Sequence, residues 1–469
     1  MSKLKGWIAI VLLALSWCAL YWITGSRTPW NHFTAADGAG GVSVYLGDIP
    51  TQSYDRMGFT KAVVRYAPGE QGWVVGTERG ELFLFDNDGK QKWKRSLGIG
   101  KLISLCLTPD GALAVVGEQS AEGNLYAVDV HTGDIRWQYK ASDFVGADAS
   151  QRSYPSIVHI VTDKDGNIYA NAYRFLMRAD GSRGYNGRML AVSGEGRLLW
   201  QFPKNEVIDS WINWCDANDA NGRVVLSTSA YDFREEMHYK DTMYFVDKKS
   251  GDLLNSTFVA PVSPFDNTVM RGSPNFSADG KYLAAATSDG RGFLFDEQGK
   301  TLWSRVISKP TQVDGAYINA SGRDGFVTPY GVLFTTINTF NRENWQLPTP
   351  VEHPSNNSIF AFNTDGTFRY QFMADGTMEE IAFAQNLAVC AVGRNVRTHN
   401  YKAHGALVLN LATGKRQQFF PTEGPCQAIG ISPDGRWVAG VEAPALTPQG
   451  KIMGAYKLHI WKLEEKPDA

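Results

Sequence analysis

A strand, a glycine turn and a second strand ending on tryptophan return along this chain so often that they dictate its architecture. The clearest copy is Asn124–Lys140 (NLYAVDVHTGDIRWQYK). Its first run is apolar at nearly every position, as expected of a strand covered on both faces, and Thr132-Gly133 supplies the reversal. Trp137 follows that glycine by four residues. The same spacing recurs in Glu81–Trp93 (ELFLFDNDGKQKW), Met189–Trp200 (MLAVSGEGRLLW) and Gly292–Trp303 (GFLFDEQGKTLW). Weaker copies at Met243–Asn255, Ile359–Tyr370 and Ala406–Gln418 put Asn, Tyr and Gln in the tryptophan place.

A second phrase precedes the first. Ile103–Gly111 (ISLCLTPDG), Pro274–Gly280 (PNFSADG) and Ala428–Gly435 (AIGISPDG) each run into another apolar segment. The unit is therefore four strands, repeated at about 45–65-residue spacing, and strand pairs around Trp73, Leu113, Ile168, Val224, Tyr282, Val332, Leu387 and Trp437 make roughly eight units. One such sheet cannot bury both of its faces alone, so neighbours must stack on it. The expected fold is an all-β, eight-bladed β-propeller of four-stranded blades over residues 42–465. Val42–Leu46 is a lone strand, while Lys457–Leu463 is a third strand with too little chain after it for a fourth. Val42–Leu46 is thus expected to complete the last blade and close the ring.

Residues 1–6 carry Lys3 and Lys5, and Trp7–Thr24 is an apolar run without a charge. That run is long enough to cross most of a bilayer as a helix. No small-residue cleavage site precedes Arg27, so the expectation is an uncleaved single-pass anchor at 7–24. The lysines place residues 1–6 in the cytoplasm and the propeller outside it, on a bacterial-type cytoplasmic membrane, with 25–41 as linker. A net charge of -2 lacks the basic surplus of a nucleic-acid binder.

Turns between first and second strands, such as Pro109-Asp110-Gly111, and between third and fourth, such as Asn87-Asp88-Gly89, are short. The long segments, including 173–188, 338–358 and 442–456, fall between second and third strands or between blades, and those classes share the opposite face. Binding belongs to that elaborated face. Around its channel mouth the candidate ligand- or partner-binding residues are Arg152, Tyr154, Asp209, Trp211, Asn213, Arg271, Asp314, Tyr317, Asn319 and Glu380, polar and aromatic groups of the kind that line a site. Against that stands the reading in which they satisfy one another and the loop backbones.

No nucleophile elbow, phosphate loop or dinucleotide fingerprint is present, and no catalytic residue can be selected. His238, His353, His399 and His404 lie in long loops and are read as solvated, so no metal site is expected. The Asp-rich pieces at Asp86–Gly89 and Asp163–Gly166 lack a calcium loop's downstream Glu and are read as turns. Arg174, Arg178, Arg183 and Arg188 crowd one loop and read as a solvated face. Cys106, Cys215, Cys390 and Cys426 are expected as buried thiols, with Cys390 and Cys426 the one pair that an oxidising compartment could join.

The phrases LYAVDVHTGDIRW, MLAVSGEGRLLW and GFLFDEQGKTLW resemble the repeat of the PQQ-binding-like propeller superfamily, which holds both quinoprotein dehydrogenases and non-enzymatic assembly scaffolds. The resemblance implies that Trp93, Trp137, Trp200 and Trp303 dock each blade on the next. It also implies that a quinone cofactor would be held by a vicinal disulfide, and this chain has no adjacent cysteines. No cofactor is therefore expected, and pyrroloquinoline quinone is disfavoured. The functional expectation is a scaffold taking a protein or peptide partner on the long-loop face. The rival is a quinoprotein-type oxidoreductase, or another small-molecule enzyme, acting at the channel mouth.

Overall fold

The computed structural model describes residues 41–50, 62–98, 100–148, 153–229, 238–272, 274–313, 315–341, 349, 351–393, 403–447 and 450–464, with the backbone of a strand at Thr34–Ala36. The apolar run 7–24 lies outside these residues. Among the described residues no helix is long and apolar enough to cross a membrane.

The chain is almost entirely antiparallel sheet. Ala62–Ala67, Gly72–Thr77, Glu81–Asp86 and Gln91–Ser96 form the first meander, each strand paired with the next. Six further meanders follow over 101–140, 156–202, 212–257, 275–306, 316–373 and 378–421. The second and third are joined into one sheet where Ser156 pairs with Gln119. The last combines Cys426–Ile431, Trp437–Glu442 and Lys457–Lys462 with Val42–Tyr45, which pairs Val42 with Ile460 and Tyr45 with Lys457. Thr34–Ala36, inside the stretch expected as linker, adds a strand on the outer side of Val42–Tyr45. This architecture is that of a β-propeller.

Burial follows strand position. In the first meander the second and third strands are buried nearly throughout, from Trp73 to Phe85, because sheets cover both faces. The outer strand Gln91–Ser96 alternates half-buried and exposed side chains, since only one face meets a neighbour. Val63, Val74, Leu82 and Leu84 pack against Leu102, Leu105, Ala114 and Val116 of the second meander. Val64, Trp73, Val75 and Phe83 pack against Val44, Val441, Leu458 and Ile460 of the last. One continuous apolar seam therefore joins the two ends of the chain.

The tryptophan phrase has a specific contact. Trp93 lies on Gly133, the turn glycine of the following meander, so closely that a Cβ there would come within 2.9 Å of the indole. Gly196 stands in the same relation to Trp137 at 2.5 Å, and Gly251 to Trp200 at 2.6 Å. Both the positive φ of +73° at Gly133 and this close approach require glycine. The indole N–H groups of Trp93, Trp137, Trp200 and Trp303 donate across the junction to the carbonyls of Val130, Gly194, Lys248 and Thr364, at 2.8, 2.8, 3.0 and 2.8 Å. The substituted copies make comparable bonds. Asn255 donates to Gln298 O at 2.6 Å and the Tyr370 hydroxyl to Leu411 O at 2.9 Å. Of the four tryptophans Trp200 is buried, whereas Trp93, Trp137 and Trp303 are half-buried.

Candidate functional site

Because successive strands alternate in direction, the connections between second and third strands and between meanders share one face. Two hairpins close there, at 177–183 and 446–452, and the open end of a third strand pair reaches the same face. Ile168–Met177 pairs with Arg183–Val192, Ala316–Thr328 with Gly331–Asn341, and Ala445–Leu446 with Ile452–Met453. The first is braced at its base and tip. Arg178 pairs with Asp209, whose other oxygen accepts the Tyr185 N–H at 2.9 Å, and Arg174 donates to Val145 O at 3.3 Å. Arg188 donates to Glu206 O, and the Arg183 guanidinium lies 5.9 Å from the Phe175 ring. The arginines expected as a solvated face are thus bound to their own protein.

The residues expected at the channel mouth are bonded largely to adjoining segments of the ring. Asn213 donates to Ser229 Oγ and, at 3.0 Å, to Met270 O. Arg271 stacks 4.9 Å over Phe340, and its carbonyl accepts the Trp214 indole at 3.0 Å. Asn319 is fully buried and donates to Ser288 O at 3.1 Å. Glu380 accepts Arg65 at 2.8 Å and the Ile429 N–H at 2.9 Å. Trp211 is half-buried with its ring 5.7 Å from Tyr173. Tyr317 is half-buried opposite Gln312, and Tyr154 is exposed. Arg152 and Asp314 lie outside the described residues.

The innermost strands show a pattern the repeat did not announce. Ser104 donates to Ile157 O at 2.7 Å, and His159 Nδ1 accepts the Cys215 N–H at 3.2 Å. Asp216 accepts the Phe276 N–H at 2.8 Å, and Asn275 donates to Gly325 O at 2.6 Å. Arg323 donates to Met378 O at 2.8 Å, after which Glu380 bonds Ile429 and Arg65. Each bond fastens one meander to another, so they run from the second meander round to the first. A signal for them exists in the sequence. AVVRYA and SIVHIVT each set one charged or polar residue, Arg65 or His159, between apolar neighbours of an innermost strand, and INWCDAN carries Asp216 together with Asn213 and Asn218.

Burial governs the chemistry of these groups. It raises the Asp216 carboxyl to about 7, partly offset by the backbone N–H groups of Phe276 and Ala217. It lowers the His159 imidazole to about 3, with the Arg65 charge acting in the same direction. The Cys106 and Cys390 thiols are pushed up to about 12, and those of Cys215 and Cys426 are also raised by burial. All four cysteines are free. None ionises near neutral pH, so none is suited to act as a nucleophile.

Asp216 and His159 pull stability in opposite directions with pH. Asp216, with its folded value raised, contributes stability that is present below about pH 4 and is lost as pH rises through about 7. His159, with its folded value depressed, contributes stability that is present above about pH 6.5 and is lost as pH falls towards 3. Urea midpoints measured from pH 4.5 to 7.5 should therefore fall on acidification more steeply in Asp216→Asn than in the parent, and less steeply in His159→Gln. Parallel profiles for all three proteins would show that neither group titrates differently on folding.

Asp163, Asp165 and Asp219 bring carboxylate oxygens within 4.8 Å of one another on the short-turn face. The Lys248 ammonium lies among them, 3.1 Å from Asp163 and paired also with Asp219. Asp163 Oδ1 accepts the N–H groups of Asp165 and Asn167 at 3.0 and 2.8 Å, the turn geometry expected of this phrase. Two loop histidines differ from expectation. His353 is buried, with Nε2 2.8 Å from Lys309 O, and His404 is buried as well. His238 is exposed and His399 lies outside the described residues.

Fold and repeat together define a β-propeller built from PQQ-like repeats. The family model described as outer membrane protein assembly factor BamB matches residues 52–206 and again 182–418, and the chain belongs to that family. No curated protein matches it. Among solved structures, BamB from Moraxella catarrhalis is similar at 14% identity, covering 85% of this chain and 93% of that one with a TM-score of 0.48. The β-propeller domain of Cps50 (Swd1) from Myceliophteria thermophila is similar at 10% identity, covering 87% and 98% with a TM-score of 0.41. A quinone held by a disulfide of neighbouring cysteines does not fit the residues present, because no two cysteines are adjacent in the chain.

Proposed function

We propose that this protein is an assembly scaffold: an eight-bladed propeller held outside the cytoplasm by the 7–24 anchor, taking a protein partner on its long-loop face. Membership of the BamB family carries the reading. Two features support it. Asn213, Asn319 and Glu380, expected at the channel mouth, are engaged in fastening the ring, and extensions beyond the repeat reach one face. That face exposes apolar side chains, among them Phe258 and Val262, after the fourth strand of the 212–257 meander. The reading invokes no cofactor and no metal.

The test separates face from frame. Phe258→Glu with Val262→Glu changes exposed side chains, so the melting temperature should stay within about 2 °C. Partners that co-purify with the parent from mildly solubilised membranes should be lost. Retention of every partner would remove this face from the proposal. A rise in melting temperature on adding pyrroloquinoline quinone would favour the oxidoreductase reading instead.

A further inference from the structure

The first seven meanders each end on an outer strand whose far edge meets no other strand among the described residues. Charge or proline keeps such an edge from pairing with another chain. Gln91–Ser96 carries Lys92, Lys94 and Arg95, Ile135–Lys140 carries Arg136 and Lys140, and Arg416–Pro421 begins on arginine and ends on proline. Thr301–Val306 (TLWSRV), the outer strand of the 275–306 meander, is guarded differently. Its Leu302 and Val306 are 48% and 63% exposed, and no large apolar side chain among the described residues is more exposed than Val306. Ser304, between them on the same side of the strand, is exposed as well.

We propose that Thr301–Val306 pairs antiparallel with the same strand of a second copy of this chain, so that two propellers join rim to rim as a two-fold dimer. The sequence of the strand selects the register. Pairing about an axis through Ser304 sets Ser304 opposite itself, Leu302 opposite Val306 and Trp303 opposite Arg305. The exposed side then joins only apolar and hydroxyl side chains, and the strand's one charge meets an aromatic ring instead of a second cation. Within one chain the Arg305 guanidinium already lies 5.3 Å from the Trp303 ring. Pairing displaces the exposed bond from Arg305 Nη1 to Ser304 O at 2.9 Å, while Arg305 Nε keeps Gly366 O at 3.0 Å. Other edges match themselves less well. Pairing Gln91–Ser96 about Trp93 or Lys94 sets lysine against lysine, and pairing Leu253–Thr257 about Asn255 sets both leucines against hydroxyl residues. In Phe368–Met373, Arg369 would face Gln371 or Met373. A two-fold pair uses up the edge, so association stops at two copies. The contact is one strand from each copy and falls below about 1,200 Å², so the dimer exchanges with monomer. It lies on the rim and leaves the long-loop face of each copy uncovered.

The full-length chain in detergent, in a Cys18→Ser background, is given Ser304→Cys or, on the neighbouring outer strand, Ser256→Cys as a control. A short bifunctional thiol reagent should join Ser304→Cys into a covalent dimer, because position 304 of one copy faces position 304 of the other, and should leave Ser256→Cys monomeric. Adding Val306→Lys, a change at an exposed site, should lower the cross-linked fraction at 304 by about tenfold, because the ammonium must then lie against Leu302 of the second copy. Its circular dichroism and melting temperature should match those of the parent. Sedimentation equilibrium of the parent should show monomer and dimer in exchange, with no larger species. A parent that stays monomeric overturns the proposal, as does a dimer that cross-links at 304 no better than at 256. Cross-linking at 304 that survives Val306→Lys undiminished overturns the strand register.

Discussion

Trp200→Ala should lower the stability of the protein by about 3–5 kcal/mol, the usual cost of removing a buried indole. Trp200 is 6% exposed and packs among Tyr169, Met189, Phe202 and Tyr244 from two meanders. Its N–H also holds Lys248 O, and the space left over Gly251 cannot be refilled from a glycine turn. The half-buried Trp93, Trp137 and Trp303 make the same bond with less area removed from water, and alanine there should cost roughly 2 kcal/mol. Urea titrations monitored by circular dichroism would give the comparison. If Trp200→Ala and Trp93→Ala lost the same stability, docking on the turn glycine rather than burial would set the cost. A loss under about 1 kcal/mol in both would remove these residues as fasteners of the ring.

Glu442→Ala should cost a similar amount, about 3–5 kcal/mol, and should act first on ring closure. Glu442 is fully buried and accepts the N–H groups of Gly424 and Ala455 at 3.0 and 2.8 Å, with His459 Nε2 at 2.8 Å. On its other side His459 Nδ1 lies 2.8 Å from Ser43 Oγ, on the strand that completes the last sheet. Alanine would strand buried backbone donors and release the imidazole that holds this strand. Glu442→Gln keeps an acceptor and should lose only about 1–2 kcal/mol. Hydrogen exchange in Glu442→Ala should quicken earliest over 42–45, as local opening of that strand precedes global unfolding. Uniform acceleration around the ring would instead make Glu442 a general core group with no special role in closure.

The strand repeats were legible because a propeller's middle strands lie between two sheets, and that burial writes continuous apolar runs such as ELFLFD and NLYAVD. The turns were legible for a local reason. A hairpin needs a left-handed residue, so glycine marks it wherever the sheet falls. The tryptophan position was visible as a spacing, but its function depends on the next meander, where the turn glycine and a carbonyl await the indole. The candidate site was less legible. Asn213, Asn319 and Glu380 were singled out from the sequence, yet they bond to Met270, Ser288 and Ile429, partners that lie 57, 31 and 49 positions away. His353 looked solvated because its loop is long, and a long loop can still fold back over its own sheet.

What the sequence alone determined is what neighbours along the chain can specify: alternation, turns, the four-strand unit and the orphan strand at 42–46. Only the tertiary structure decided which polar side chain meets which backbone group across each junction, because those pairs form when separate sheets are brought side by side. Thr34–Ala36 carries no pattern that sets it apart from a linker, and it becomes a strand because Val42–Tyr45 offers it an open edge.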